Sequence, residues 1–178
     1  MILEETILQT SRRVYLVGML MCVALLLAAA YFQHILLLEP CPLCILQRLM
    51  VMVTGGVFLL AFLHNPRGLA NRIYGGLIVI STMIGAGIST RHVWLQNLPP
   101  ELVPSCGPGL NFMLENFPLR RTIELVFRGS GECAEVDWSL LGLTIPAWTL
   151  IAFVVLGVLG LNRLLSQSRG RRMFSDKF

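Results

Sequence analysis

Charge is what this sequence has least of. Asp, Glu, Lys and Arg make up 13% of its 178 residues, where a soluble domain carries roughly a quarter. With 55% hydrophobic residues and a mean hydropathy of +0.71, the chain lacks the polar surface an ordinary soluble domain needs. It has no internal repeat and no low-complexity tract, and no stretch is left over for a separate soluble catalytic domain. The formal charge of +4 does not make it a nucleic-acid binder, because its basic residues sit in short segments between apolar runs rather than on one folded surface. These exclusions leave a membrane protein of a few spans and one modest loop, organised as a single membrane domain over residues 1–178.

A helix crosses a bilayer core with about 20 mostly apolar residues. Four stretches meet that length, roughly 14–36, 44–63, 73–90 and 143–161. Arg12 and Arg13 precede the first, as in a secretory signal, but its apolar run exceeds the usual core of about 7–15 residues, so it reads as a retained span. Cytoplasmic segments of membrane proteins carry the excess of Lys and Arg. The N-terminus, the 64–72 connection and the tail hold Arg12, Arg13, Arg67, Arg72, Arg163, Arg169, Arg171, Arg172 and Lys177 against Glu4, Glu5 and Asp176. In the other connections Glu39, Glu101, Glu115, Glu124, Glu132, Glu135 and Asp137 outnumber Arg120, Arg121 and Arg128. Both termini are therefore expected in the cytoplasm, with the bend at 37–43 and the loop at 91–142 on the opposite side.

The expected fold is an all-α, four-helix transmembrane bundle with a long periplasmic loop, in a multi-pass protein of the bacterial inner membrane. Within that loop, 116–127 reads as a short amphipathic helix whose Phe117, Leu119, Ile123, Val126 and Phe127 suit the bilayer surface. Gly55-Gly56, Gly75-Gly76 and Gly85-x-Gly87 are expected where helix backbones approach closely. Pro146 falls in the first turn of the last span, where proline costs little.

Five cysteines are present. Cys22 lies inside an apolar run and reads as a small buried residue. Cys41, Cys44, Cys106 and Cys133 all fall on the non-cytoplasmic side, the compartment in which bacterial disulfides persist. They can pair in three ways, and spacing does not choose among them.

Cys41-Pro42-Leu43-Cys44 is a C-x-x-C at the start of the second span. Pro40 and Pro42 disfavour helix before Leu43, which places Cys44 in or near the first turn. A helix N-terminus and a nearby cation favour the thiolate, the reactive form of cysteine. Arg48 follows four residues later on the same face. A charge within an apolar span marks a functional site by default, with snorkelling to the interface as the plain alternative.

C-x-x-C is also half of a zinc knuckle, but Cys106 and Cys133 are 27 residues apart with no histidine between them, so no metal is expected. A static disulfide in so small a ring restrains little chain. Cys106 and Cys133 stand among Pro104, Gly107, Pro108, Gly129 and Gly131, and a mobile bridge suits exchange. A loop staple is the plainer reading of that pair. His92 and Trp94 follow the third span just outside the membrane, where interfacial anchors are ordinary.

The ordered set resembles the disulfide bond formation protein B (DsbB) family of bacterial membrane oxidoreductases. The match rests on Cys41-Pro-Leu-Cys44 followed by Ile45-Leu46-Gln47-Arg48, on Cys106, on Gly131-Glu132-Cys133-Ala134-Glu135, on Trp138-Ser139-Leu140-Leu141-Gly142-Leu143, and on Pro146-Ala147-Trp148. By that resemblance the chain is a protein-disulfide:quinone oxidoreductase. A periplasmic DsbA-like thiol oxidase would attack at Cys106 and reduce a Cys106/Cys133 disulfide. Cys133 would then exchange with Cys41, freeing Cys44 to donate electrons to ubiquinone or menaquinone. Arg48 looks like the family's quinone-site arginine, and His92 is similar to a histidine near that site. Gln47 departs from relatives that carry an acid before the arginine. The competing readings are a non-catalytic scaffold with two structural disulfides and, less well supported, a small transporter.

Overall fold

A computed structural model describes residues 2–102, 118, 120, 131–134 and 138–175. Four long helices dominate it: α1 (Ile2–His34), α2 (Pro42–His64), α3 (Leu69–Gln96) and α4 (Ile145–Ser175). Within them Arg12–His34, Pro42–His64, Leu69–Gln96 and Ile145–Leu165 are long and apolar enough to cross a membrane. Large apolar side chains such as Leu27, Leu60, Met83 and Val158 point outward, as lipid-facing helix surfaces do. The chain is a multi-pass, four-helix membrane protein.

Helix ends follow local chemistry. Pro42 occupies the first turn of α2 behind an extended Cys41 (φ −63°, ψ 161°), and α2 stops where Asn65 turns left-handed (φ 44°). The third span was expected to end at Thr90, but α3 continues to Gln96. Arg91 marked the end of the apolar run, yet the inward face goes on beyond it: Ile88, His92 and Leu95 are all buried, at the i, i+4, i+7 spacing of one helical face. Arg91 itself lies over the Trp94 ring at 4.2 Å.

A feature absent from the expected all-helical fold precedes α4. Strands β1 (Ser139–Leu140) and β2 (Leu143–Thr144) form an antiparallel hairpin, pairing Ser139 with Thr144 and Leu140 with Leu143. Leu141 and Gly142 turn it with φ of 55° and 78°, the two positive values of a type I′ turn. The Trp148 indole donates to the Leu140 carbonyl at 3.3 Å, fixing the hairpin to the first turn of α4. The expected amphipathic helix at 116–127 lies outside the described residues, apart from Pro118 and Arg120.

Helices α3 and α4 meet backbone to backbone. A Cβ on Gly75 would sit 2.7 Å from the Leu164 nitrogen and 3.1 Å from the Gly160 oxygen, and one on Gly157 would sit 3.1 Å from Thr82 Oγ1. Gly85 makes room for the buried Phe153 ring. Gly56, Gly76 and Gly87 face open space, so only part of the glycine set serves packing.

Polar bonds tie the bundle together inside. At one end Tyr15 donates to Asn71 Oδ1 at 2.5 Å, and Asn71 Nδ2 donates to the Arg163 carbonyl at 3.0 Å. At mid-bundle Thr54 donates to Ser81 at 3.0 Å. Such bonds hold helices together where lipid supplies little hydrophobic drive between them.

Replacing Gly75 with Ala should destabilise the detergent-solubilised protein by about 1–3 kcal/mol, the usual cost of overpacking. Gly76→Ala should leave stability unchanged or raise it by up to about 1 kcal/mol through helix propensity. Thermal unfolding of the two variants tests this, and equal effects would contradict the α3–α4 backbone contact.

Candidate functional site

The first turn of α2 sets the site. With Pro40 and Pro42 on either side, Cys41 stays extended as the N-cap residue and Cys44 enters the helix three residues later. Their Sγ atoms lie 3.2 Å apart. Cys41 is buried and Cys44 half-buried. Cys22, Cys41 and Cys44 are free thiols.

The last turns of α3 bring His92 against this pair, with 2% of its surface exposed. Its Nε2 lies 3.7 Å from Cys41 Sγ and its Nδ1 4.0 Å from Cys44 Sγ. Gln47 Nε2 stands 3.1 Å from the same Nδ1. With the amide placed so, Gln47 donates to a neutral ring that carries its proton on Nε2, facing Cys41.

A third thiol arrives from the long loop. The 3-10 turn Gly131–Cys133, closed by the Ala134 amide donating to the Gly131 carbonyl at 2.9 Å, buries Cys133 completely. Cys133 packs in one cluster with Cys41, Leu43, Ile88 and Leu95. The ligand-type atoms of Cys41, His92 and Cys133 all lie within 4.8 Å of one another.

Beside the thiols a cavity of about 370 Å³ opens between α1, α2, the hairpin and α4. Leu25, Ala29, Phe32, Val51, Trp138, Ile145 and Trp148 give it apolar walls, and Glu39, Cys44, Gln47, Arg48 and Thr149 supply polar groups. Phe32 and Trp138 pack with ring centroids 4.9 Å apart. Among the described residues, Cys44 is the cysteine on this wall. Arg48 reaches across to α1, donating from Nη2 to the Ala29 carbonyl at 3.1 Å and from Nη1 to Gln33 Oε1. Two of its five donors are thereby anchored in the cavity wall. An apolar pocket of this size with a few convergent polar groups is the ordinary form of a small-molecule site.

Cys41, Cys44, Cys133, Arg48 and His92 thus gather at one end of the bundle. Cys106 lies outside the described residues. His92, expected just beyond the third span, is instead inside α3 and packed on the thiols, because the helix runs further than its charge pattern indicated. Trp94 remains half-exposed at 52%, as an interfacial anchor would. Sequence reasoning missed Gln33, whose signal was a polar side chain near the end of an apolar run, and the contact of Gln47 with His92.

Three thiols and an imidazole at one end of a membrane bundle define a membrane protein of thiol–disulfide chemistry. The family described as "Disulfide bond formation protein DsbB" matches residues 11–162. A Disulfide bond formation protein B of Nitrosococcus oceani is 61% identical over 150 residues, 84% of this chain and 89% of that one. Proteins of the same name from Methylococcus capsulatus and Saccharophagus degradans are 53% and 50% identical, covering 86% and 85% of this chain and 94% and 92% of their own lengths. The chain belongs to the DsbB family, and its role is that of a disulfide-forming oxidoreductase.

The placement of Cys133 against Cys41 is directly testable. In a Cys44→Ser, Cys106→Ser chain, mild oxidation should join Cys41 to Cys133 in most molecules, since an approach of a few ångströms brings the sulfurs to the roughly 2.05 Å of a disulfide. Peptide mapping without reductant reads the link, and its absence would contradict this geometry.

Proposed function

We propose that this protein reoxidises a periplasmic DsbA-like thiol oxidase and passes the electrons to membrane quinone, ubiquinone or menaquinone, sustaining disulfide formation at the bacterial inner membrane. What carries this reading is the meeting of Cys133 with Cys41, within 4.8 Å, beside an apolar cavity onto which Cys44 opens. The gathering of these residues at one end of the bundle supports a single redox compartment, and the charge pattern supports cytoplasmic termini.

In the proposed cycle a partner thiolate attacks Cys106 of a Cys106–Cys133 disulfide, and Cys133 leaves as thiolate. The partner's second thiol resolves the mixed disulfide, so the partner leaves oxidised and Cys106 is reduced. The Cys133 thiolate attacks Cys41 of a Cys41–Cys44 disulfide, and Cys44 leaves as thiolate. Cys106 then displaces Cys41 from Cys133, restoring its own disulfide and leaving the Cys41/Cys44 pair with two electrons. Each exchange is an in-line attack of thiolate on disulfide, for which proximity and access decide the rate.

Bound quinone supplies the sink, accepting two electrons and two protons. The cavity fits such a group: Phe32, Trp138 and Trp148 offer flat apolar surface, and Arg48, held by α1, offers a donor to an oxygen. Cys44 stands on that wall as the donating sulfur. His92, with Gln47 on its Nδ1, is placed to hold a proton at Nε2 for Cys41 while the thiols change state.

In purified protein with quinone, Cys44→Ser should abolish oxidation of the reduced partner. Arg48→Ala should raise the apparent quinone KM roughly 10- to 100-fold, the ~1.5–3 kcal/mol of a charge-assisted hydrogen bond, while the partner KM stays within about twofold. Steady-state oxidation followed by quinone absorbance measures both. Undiminished turnover in Cys44→Ser would sink the relay, and an unchanged quinone KM would remove Arg48 from it.

A further inference from the structure

We infer that the reduced protein carries a metal site of the Cys₃His type for a thiophilic d¹⁰ cation, represented by Zn²⁺, with Cys41, Cys133 and His92 as its centre and Cys44 as fourth ligand. The sequence offered only a C-x-x-C with no second ligand pair in view. The fold supplies that pair from two distant places, the end of α3 and the 3-10 turn at Cys133.

The distances suit tetrahedral zinc. Bond lengths of about 2.3 Å to sulfur and about 2.0–2.1 Å to nitrogen give ligand–ligand edges of about 3.5–3.8 Å. Cys41 Sγ stands 3.7 Å from His92 Nε2 and 3.2 Å from Cys44 Sγ, and the Cys41, His92 and Cys133 atoms all fall within 4.8 Å of one another. Cys44 Sγ stands 4.0 Å from His92 Nδ1, so its side chain must turn toward Nε2 to join as fourth ligand. All three central residues are buried, so the ion's ligands are shielded from competing water.

The second shell is present as well. A histidine that ligates through Nε2 carries its proton on Nδ1 and needs an acceptor there. Gln47 is already 3.1 Å from that nitrogen. Rotating its terminal amide by half a turn exchanges Nε2 for Oε1, which turns the donor of the metal-free state into the required acceptor.

Occupancy is tied to redox state. Zn²⁺ binds thiolates, so loading releases the thiol protons, and any disulfide among these sulfurs removes two ligands. The ion therefore binds the reduced chain and leaves the oxidised one. Binding rests on geometry alone, independent of the proposed relay. If that relay operates, the same ion holds Cys41, Cys44 and Cys133 out of exchange and acts as a brake on it.

The test uses the full chain in detergent, reduced and freed of reductant, titrated with Zn²⁺ against a chromophoric chelator. One ion per chain with Kd below about 1 μM is expected, in the range of thiolate zinc sites. His92→Ala and Cys133→Ser should each weaken binding at least about tenfold, while Cys106→Ser should not. Chain oxidised with diamide should show no such binding.

Two readouts on the unaltered protein guard against misfolded variants. Co²⁺ should give thiolate charge-transfer absorption with the intense visible bands of tetrahedral coordination. Zn²⁺ should slow alkylation of Cys41, Cys44 and Cys133 at least tenfold, read by mass spectrometry, and leave Cys106 unprotected. Octahedral Co²⁺ spectra, equal protection of Cys106, or equal affinity of reduced and oxidised chain would overturn the site. None of these readouts requires turnover, so a failed relay and a failed metal site give different results.

Discussion

The extended-to-helical switch at Cys41 is the constraint on which the site depends. Prolines on both sides hold Cys41 out of the helix, and Pro42 then starts α2 at no cost in hydrogen bonds, because a first-turn nitrogen has no intrahelical partner. From that fixed start, Cys44, Gln47 and Arg48 follow at i, i+3 and i+4 and share one face. Each meets a different neighbour: Cys44 the sulfur of Cys41, Gln47 the ring of His92, Arg48 the carbonyl of Ala29 on α1. A start one residue later would turn that face by about 100°, since a helix has 3.6 residues per turn, and all three contacts would be lost together.

His92 depends equally on the register of α3. Gly75, Ile78, Thr82, Gly85, Ser89 and His92 are buried on that helix, and the first four lie against α4, where glycine lets the backbones touch. The same stripe that packs α3 at its middle therefore ends in the imidazole at the thiols. At the other end Asn71 ties α3 to Tyr15 of α1 and to the Arg163 carbonyl of α4. A slip of one helical turn moves a residue by about 5.4 Å, more than the 3.7 Å between His92 and Cys41. Packing far from the chemistry thus holds the chemistry in place.

Much of this was legible in the sequence because the bilayer imposes long apolar helices and the prolines punctuate one of them. Four spans, the early entry of Cys44 into α2 and the shared face of Cys44 and Arg48 follow from those rules. The extent of α3 did not, because hydropathy ends at Arg91 whereas burial ends at Leu95. The hairpin at 139–144 was hidden for a related reason: two-residue strands leave no alternating pattern, and its turn places a leucine, Leu141, at positive φ. Partners far apart in sequence were invisible to spacing. Nothing local joins Gln33 to Arg48, which meet only when α1 and α2 are brought together, and the pairing of Cys133 with Cys41 came from the family resemblance alone.

The sulfurs differ in what surrounds them. Cys44 opens onto the apolar cavity and also packs against the apolar cluster in which Cys133 meets Cys41. Cys41 stands between them, 3.2 Å from Cys44 and within 4.8 Å of Cys133. Exchange passes only between sulfurs that meet, and Cys41 meets both of the others. The imidazole beside these sulfurs suits both the proposed proton role and the inferred metal site, since a neutral imidazole nitrogen serves either.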